Sequence, residues 1–183
     1  MRRIHYVLVS ILLFCSLPAM AQIGLYGEFS AGKSNVPLAA GWSGPGWIYG
    51  PTFGVYYDPW HLPFLAAGLD ARGVFLGSGS NKLDSGLFGP RLVFRPHVLP
   101  IQPYVEGLIG AGHAKYDEHK QFTALMASYN ATNFEYQFLG GLDLTFFPRL
   151  DWRVVEFSYG GVSGLGSSLN PETISTGLVL RLP

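Results

Sequence analysis

The feature that most constrains this chain is a period-two run from Asn133 to Tyr159, NFEYQFLGGLDLTFFPRLDWRVVEFSY. Glu135, Gln137, Leu139, Gly141, Asp143 and Thr145 alternate with Phe134, Tyr136, Phe138, Gly140, Leu142, Leu144 and Phe146. That is the period of a strand with one polar and one apolar face. After a break at Pro148, Arg149 and Leu150 the period resumes, with Val155, Phe157 and Tyr159 on one face and Glu156 and Ser158 on the other. The stretch is therefore predicted to be a hairpin with a tight turn. No helical pattern elsewhere offers to cover its apolar face, so that face is expected to meet lipid.

The same period recurs along the chain. Strands are expected near Ile23 to Gly32, Trp47 to Asp58, Phe64 to Leu76, Asp84 to Arg95, Pro103 to Tyr116, Phe134 to Phe147, Asp151 to Gly160 and Thr173 to Leu182. Their connections alternate in kind. Pro59 to Pro63, Pro96 to Gln102 and Pro148 to Leu150 are short and marked by proline. Lys33 to Gly46, Gly77 to Leu83, Asp117 to Asn133 and Gly161 to Glu172 are mostly longer and polar or rich in Gly and Ser. An even number of strands with short turns on one rim and long loops on the other is the pattern of an outer membrane barrel, whose short turns face the periplasm. The 24 glycines and 15% aromatic content suit a small barrel. Pro51 and Pro90 fall inside strands, where a closed barrel has no free edge, so a bulge is expected at each.

Residues 1–21 read as a secretory signal: Arg2 and Arg3, an apolar run from Tyr6 to Leu17, and Ala19-Met20-Ala21 before Gln22. Residues 22–183 are then one barrel domain. Cys15, the single cysteine, lies in the signal, so the mature chain is expected to form no disulfide. Beyond the signal, ten Lys and Arg stand against twelve Asp and Glu, since Arg2 and Arg3 are lost from the twelve basic residues. That slightly acidic balance argues against nucleic acid as a partner.

The segment lengths, PYVEGLIGAG at 103–112, GGLDL at 140–144, the DWRVVEFSY run and the closing TGLVLRLP resemble the small eight-stranded outer membrane proteins of the outer membrane protein A transmembrane-domain type. The resemblance spans the mature chain. It implies an all-β, eight-stranded, antiparallel up-and-down transmembrane barrel in the outer membrane of a Gram-negative cell, exported through the periplasm. The implied partners are outer membrane lipid and lipopolysaccharide, the barrel-insertion machinery and an extracellular ligand at the long loops, with the barrel a monomer. Members of that group close their last strand on an aromatic residue, where this chain has Leu182 and Pro183.

Parity assigns each strand a lipid face and a lumen face. Outward fall Leu25, Phe29, Tyr49, Phe53, Val55, Tyr57, Leu65, Leu69, Phe75, Phe88, Leu92, Phe94, Val105, Ile109, Phe138, Leu142, Leu144, Val155, Phe157, Tyr159, Ile174, Leu178, Leu180 and Leu182. Inward fall ten charges: Glu28, Asp70, Arg72, Arg91, Arg95, Glu106, Glu135, Asp143, Glu156 and Arg181. An eight-stranded barrel is just wide enough to be filled by side chains, so these groups must pair. Folding the hairpins about their turns places Arg91 level with Asp70 and Glu106. It places Asp143 level with Glu156, a like-charged pair that Arg72, Arg91 or Arg95 must relieve from across the lumen. Parity also sends Trp152 inward, to plug the floor, and Arg153 outward, to reach headgroups at the periplasmic rim.

Aromatic residues are expected to form two interfacial girdles. Tyr57, Trp60, Phe64, Phe94, Phe146 and Trp152 mark the short-turn rim; Trp47, Tyr49, Tyr116, Phe134, Tyr136 and Tyr159 mark the other. Lipid A deacylases carry a His and a Ser two apart, in a pattern resembling F-x-H-x-S-N, so that imidazole activates hydroxyl. The nearest match here is Glu156-Phe157-Ser158-Tyr159, with Glu in place of His, so no catalytic residue is assigned. His113 and His119 flank Asp117 and Glu118, which reads as a solvated loop, and no metal or cofactor is assigned. The function expected is structural or surface interaction, with the lumen plugged by ion pairs. A narrow channel for ions or small solutes is the second reading, and a lipopolysaccharide acyl-modifying enzyme a distant third.

Overall fold

The computed structural model describes residues 22–35, 47–79, 81–96, 99–119, 126–163 and 170–182. The expected signal segment 1–21, with Cys15, lies outside the described residues. Eight strands are formed: β1 (Gln22–Asn35), β2 (Ile48–His61), β3 (Leu65–Ser78), β4 (Asn81–Phe94), β5 (Ile101–His119), β6 (Met126–Phe147), β7 (Leu150–Val162) and β8 (Asn170–Leu182). Each pairs antiparallel with the next, and β1 pairs with β8 to close the barrel. The strands are 13 to 22 residues long, beyond the roughly 9 to 11 that a tilted strand needs to cross the hydrocarbon.

The register shows the strand tilt. Partners of Glu28 followed through Thr52, Val74, Ser85 and Gly112 arrive at Asn133 on β6. Followed the other way, through Gly177 and Arg153, they arrive at Asp143 on the same strand. That offset is the stagger needed to close a sheet into a barrel.

Alternation decides what faces where. The outward residues expected from parity are exposed or half-buried, Phe138 and Phe29 being 63% and 60% exposed, and together they make a continuous apolar exterior. An exterior of this kind is stable in lipid and would aggregate in water. Both aromatic girdles stand outward at the two rims, Tyr116 aside, whose side chain lies outside the described residues.

Three local expectations are corrected. The connection expected over Gly77 to Leu83 is shorter than that, since Ser78 and Asn81 are already strand partners, with Gly79 at φ 59°, a conformation open to glycine. Most of Asp117 to Asn133 is strand, because β5 and β6 stay paired from the barrel out to His119 and Met126. His119 and Asp117 are thus strand residues, and the part of that loop over 120–125 lies outside the described residues, as do 36–46 and 164–169. Pro51 and Pro90 produce no bulge: Pro51 stays in register with Phe29 and Pro90 with Leu69, while the ladder skips a step on the other side. The glycine before each proline makes this possible, since a Cβ on Gly50 would lie 1.9 Å from the Phe75 carbonyl oxygen and one on Gly89 2.1 Å from that of Gly107. Bulges occur elsewhere, in β2 between Tyr57 and Trp60, in the β6–β7 ladder near each end of the turn, and in β7 between Arg153 and Glu156.

Candidate functional site: the lumen

The β7 bulge decides the chemistry of the lumen. Leu142 pairs with Val155 but Asp143 pairs with Arg153, so Val154 is the extra residue. An added residue reverses the facing of everything on one side of it. Arg153, expected outward, is therefore buried at 0% exposure inside the barrel, and Trp152, expected to plug the floor, is 45% exposed on the outside. The expected like-charged pair is also undone, because Arg153 and not Glu156 stands opposite Asp143.

Arg153 becomes the hub of a network. Its Nε and Nη2 donate to Asp143 at 2.9 and 3.3 Å, and its Nη1 donates to Glu28 at 2.5 Å and to Glu156 at 3.3 Å. Arg72 donates from Nη1 to Glu156 at 2.6 Å, from Nη2 to Glu106 at 2.8 Å and from Nε to Asp70 at 3.2 Å. Arg91 donates to Glu106, its register partner, and to Asp143 at 3.4 Å. Asp70 is level with Gly89 rather than Arg91, because the pairing of Ser78 with Asn81 sets the β3–β4 register, and it pairs with Arg72 instead.

Three tyrosines separate the guanidiniums. Arg91 lies 4.3 Å from the Tyr56 ring centroid and 4.1 Å from that of Tyr104. Arg153 lies 4.5 Å from Tyr104 and 4.4 Å from Tyr26, and Arg72 lies 5.4 Å from Tyr26. The order across the lumen is Tyr56, Arg91, Tyr104, Arg153, Tyr26, Arg72. Each ring supplies a face to a cation, and two supply a hydroxyl: Tyr26 to Asp70 at 2.8 Å and Tyr104 to Glu156 at 2.6 Å. Room for the rings comes from a glycine across the ladder from each. A Cβ on Gly24, Gly54 or Gly141 would come within 2.1, 2.3 or 2.3 Å of Tyr56, Tyr26 or Tyr104. The described cations of the lumen are all arginine while Lys33, Lys82 and Lys115 are exposed outside, as expected where planar bidentate pairing and stacking are required.

Below this centre, toward the short turns, Arg95 donates to Asp58 at 2.6 Å and shares a hydrogen bond with His61 at 3.0 Å. Arg181 meets Asp151 at 2.9 Å and Thr145 at 3.2 Å. Above it, Ser30 bonds Thr52 and Ser175, each at 2.8 Å; Ser158 bonds Gln137 and Thr173; Ser85 donates to Glu135 at 2.5 Å. Nearest the long connections, Ile48, Val74, Leu76, Leu83, Ala114 and Val162 form a buried aliphatic layer.

All ten charges expected inside are inside, with Arg95 and Arg181 half-buried at the mouth. The sequence reading missed Asp58, Asp151, Arg153 and the three tyrosines. Asp58 shares the parity of Tyr56, and each tyrosine faces a glycine, so those signals were available. Asp151 and Arg153 carried none, because the bulge inverts their parity.

No family model matches the chain, and no curated protein matches it. Solved structures do. Neisserial surface protein A superposes with a TM-score of 0.59 at 13% identity, covering 87% of this chain and 97% of that one. Ail, the attachment invasion locus protein of Yersinia pestis, superposes with a TM-score of 0.53 at 19% identity, covering 88% and 97%. The fold is thus that of these small eight-stranded outer membrane barrels, and the closed ladder and the apolar exterior agree with it.

Proposed function

We propose that this protein is an integral outer membrane barrel with a sealed lumen, acting structurally and through its extracellular side. One observation supports the reading: a six-member stack of tyrosine and arginine, with five acids bonded to it, runs across the middle of the barrel, and a buried aliphatic layer lies on its outer side. Side chains at the level of the stack are almost fully buried in an interior only wide enough to be filled by side chains. Surface interaction is supported by the β5–β6 hairpin, which stays paired past the ends of β4 at Asn81 and β7 at Val162. Ail, a barrel of the same fold, is named for attachment and invasion. Lipid and lipopolysaccharide surround the barrel in this reading, the insertion machinery places it as a monomer, and the hairpin offers the contact surface for an extracellular ligand.

Single-channel recording of the refolded chain in a planar bilayer tests the seal, once unheated gel mobility shows a folded barrel. The expected trace is silent. Reproducible conductance steps that change in Arg91→Ala would replace this reading with that of a narrow pore.

A further inference from the structure

Among the described residues the lumen holds eight carboxylates and five arginines, and the surplus of acid is not evenly spread. The arginines and the ion pairs they make lie in the middle and lower lumen. Glu135 stands apart on β6, 1% exposed, and its bonded partner among the described side chains is Ser85 Oγ at 2.5 Å. Gly112 gives the carboxylate its seat against β5, since a Cβ there would lie 2.1 Å from Oε2. The groups facing it are neutral: Leu83 and Leu87 beside Ser85 on β4, Ala114 on β5 and Val162 on β7, with Gln137 next along β6 bonded away to Ser158. None of these is titratable. With no counter-charge among the described residues, an ionised carboxylate is far too costly in such surroundings, and one hydroxyl does not compensate it.

We propose that in the folded barrel Glu135 is neutralised by a small monovalent cation, a proton or an alkali metal ion, seated at the Glu135–Ser85 pair. The cation sits where the hydroxyl zone meets the aliphatic layer, and it keeps that boundary uncharged and dry. This goes beyond the sealed-lumen reading and holds whether or not the barrel conducts.

The test compares the wild type with Glu135→Gln, both refolded into vesicles of uncharged phospholipid, by urea unfolding. Midpoints are read from pH 6 to 8 in choline chloride, then at fixed pH and ionic strength with sodium or potassium replacing choline. With a proton as the cation, the folding equilibrium constant of the wild type falls relative to Glu135→Gln by up to about tenfold per pH unit, and sodium and potassium act no better than choline. With an alkali ion, sodium or potassium stabilises the wild type over choline, approaching tenfold in that constant per tenfold in free cation, and Glu135→Gln does not respond. Identical pH and cation responses in the two proteins would overturn the proposal. Should Glu135→Gln fail to insert, Glu135→Leu, whose side chain suits the aliphatic layer, takes its place under the same criteria.

Discussion

The lower and upper lumen are walled by the same eight strands and closed by opposite means. Toward the short turns, guanidiniums, carboxylates and tyrosine rings answer one another; Arg72 and Arg153 each bond three acids. Toward the long connections, hydroxyl pairs give way to aliphatic side chains that bury area without needing a partner. In the lower half the groups are coupled, because removing one charge leaves others buried and unpaired. In the upper half each residue contributes its own apolar area and its own cavity when lost. Damage should therefore spread in one half and stay local in the other.

The largest effect is expected from Arg153→Ala, which takes a principal cation from Asp143 and Glu28 at once and should lower stability by about 3 to 5 kcal/mol in urea unfolding from vesicles.

Arg91→Ala should cost less than Arg153→Ala, because Glu106 keeps Arg72 and Asp143 keeps Arg153. Leu76→Ala, in the aliphatic layer, should cost about 2 kcal/mol through lost transfer and a cavity. Its effect should add to that of Arg153→Ala, whereas Arg91→Ala and Arg153→Ala, sharing Asp143, should not add. Additivity in both double variants would break the contrast between the halves. The smallest effect belongs to Lys82→Ala, exposed on the exterior, within about 0.5 kcal/mol.

Much of this molecule was legible from the chain. The alternation of Phe134 to Phe146 with Glu135 to Thr145 is a property of successive residues, so strand faces, strand number and the inward charges could be read without knowing a single contact. Strand ends were less so. Paired extension of β5 and β6 out to His119 and Met126 depends on two segments finding each other, and the polar sequence there resembled a loop. The register of β3 with β4 depended on which residues of Gly77 to Leu83 turn, and a shift of that turn moved the Asp70 partner from Arg91 to Arg72.

What the sequence by itself determined is a barrel with an apolar exterior and a charged, crowded interior, because period two is written in nearest neighbours and needs no tertiary information. What only the tertiary structure decided is which charges meet. A single extra residue, Val154, is no different in sequence from its neighbour Val155, yet its exclusion from the ladder on both sides of β7 turned Arg153 from the lipid to the centre of the lumen. Parity is local, but a bulge is settled by how three strands align, and the acids of β1, β6 and β7 that require a cation there are brought together only when the barrel closes.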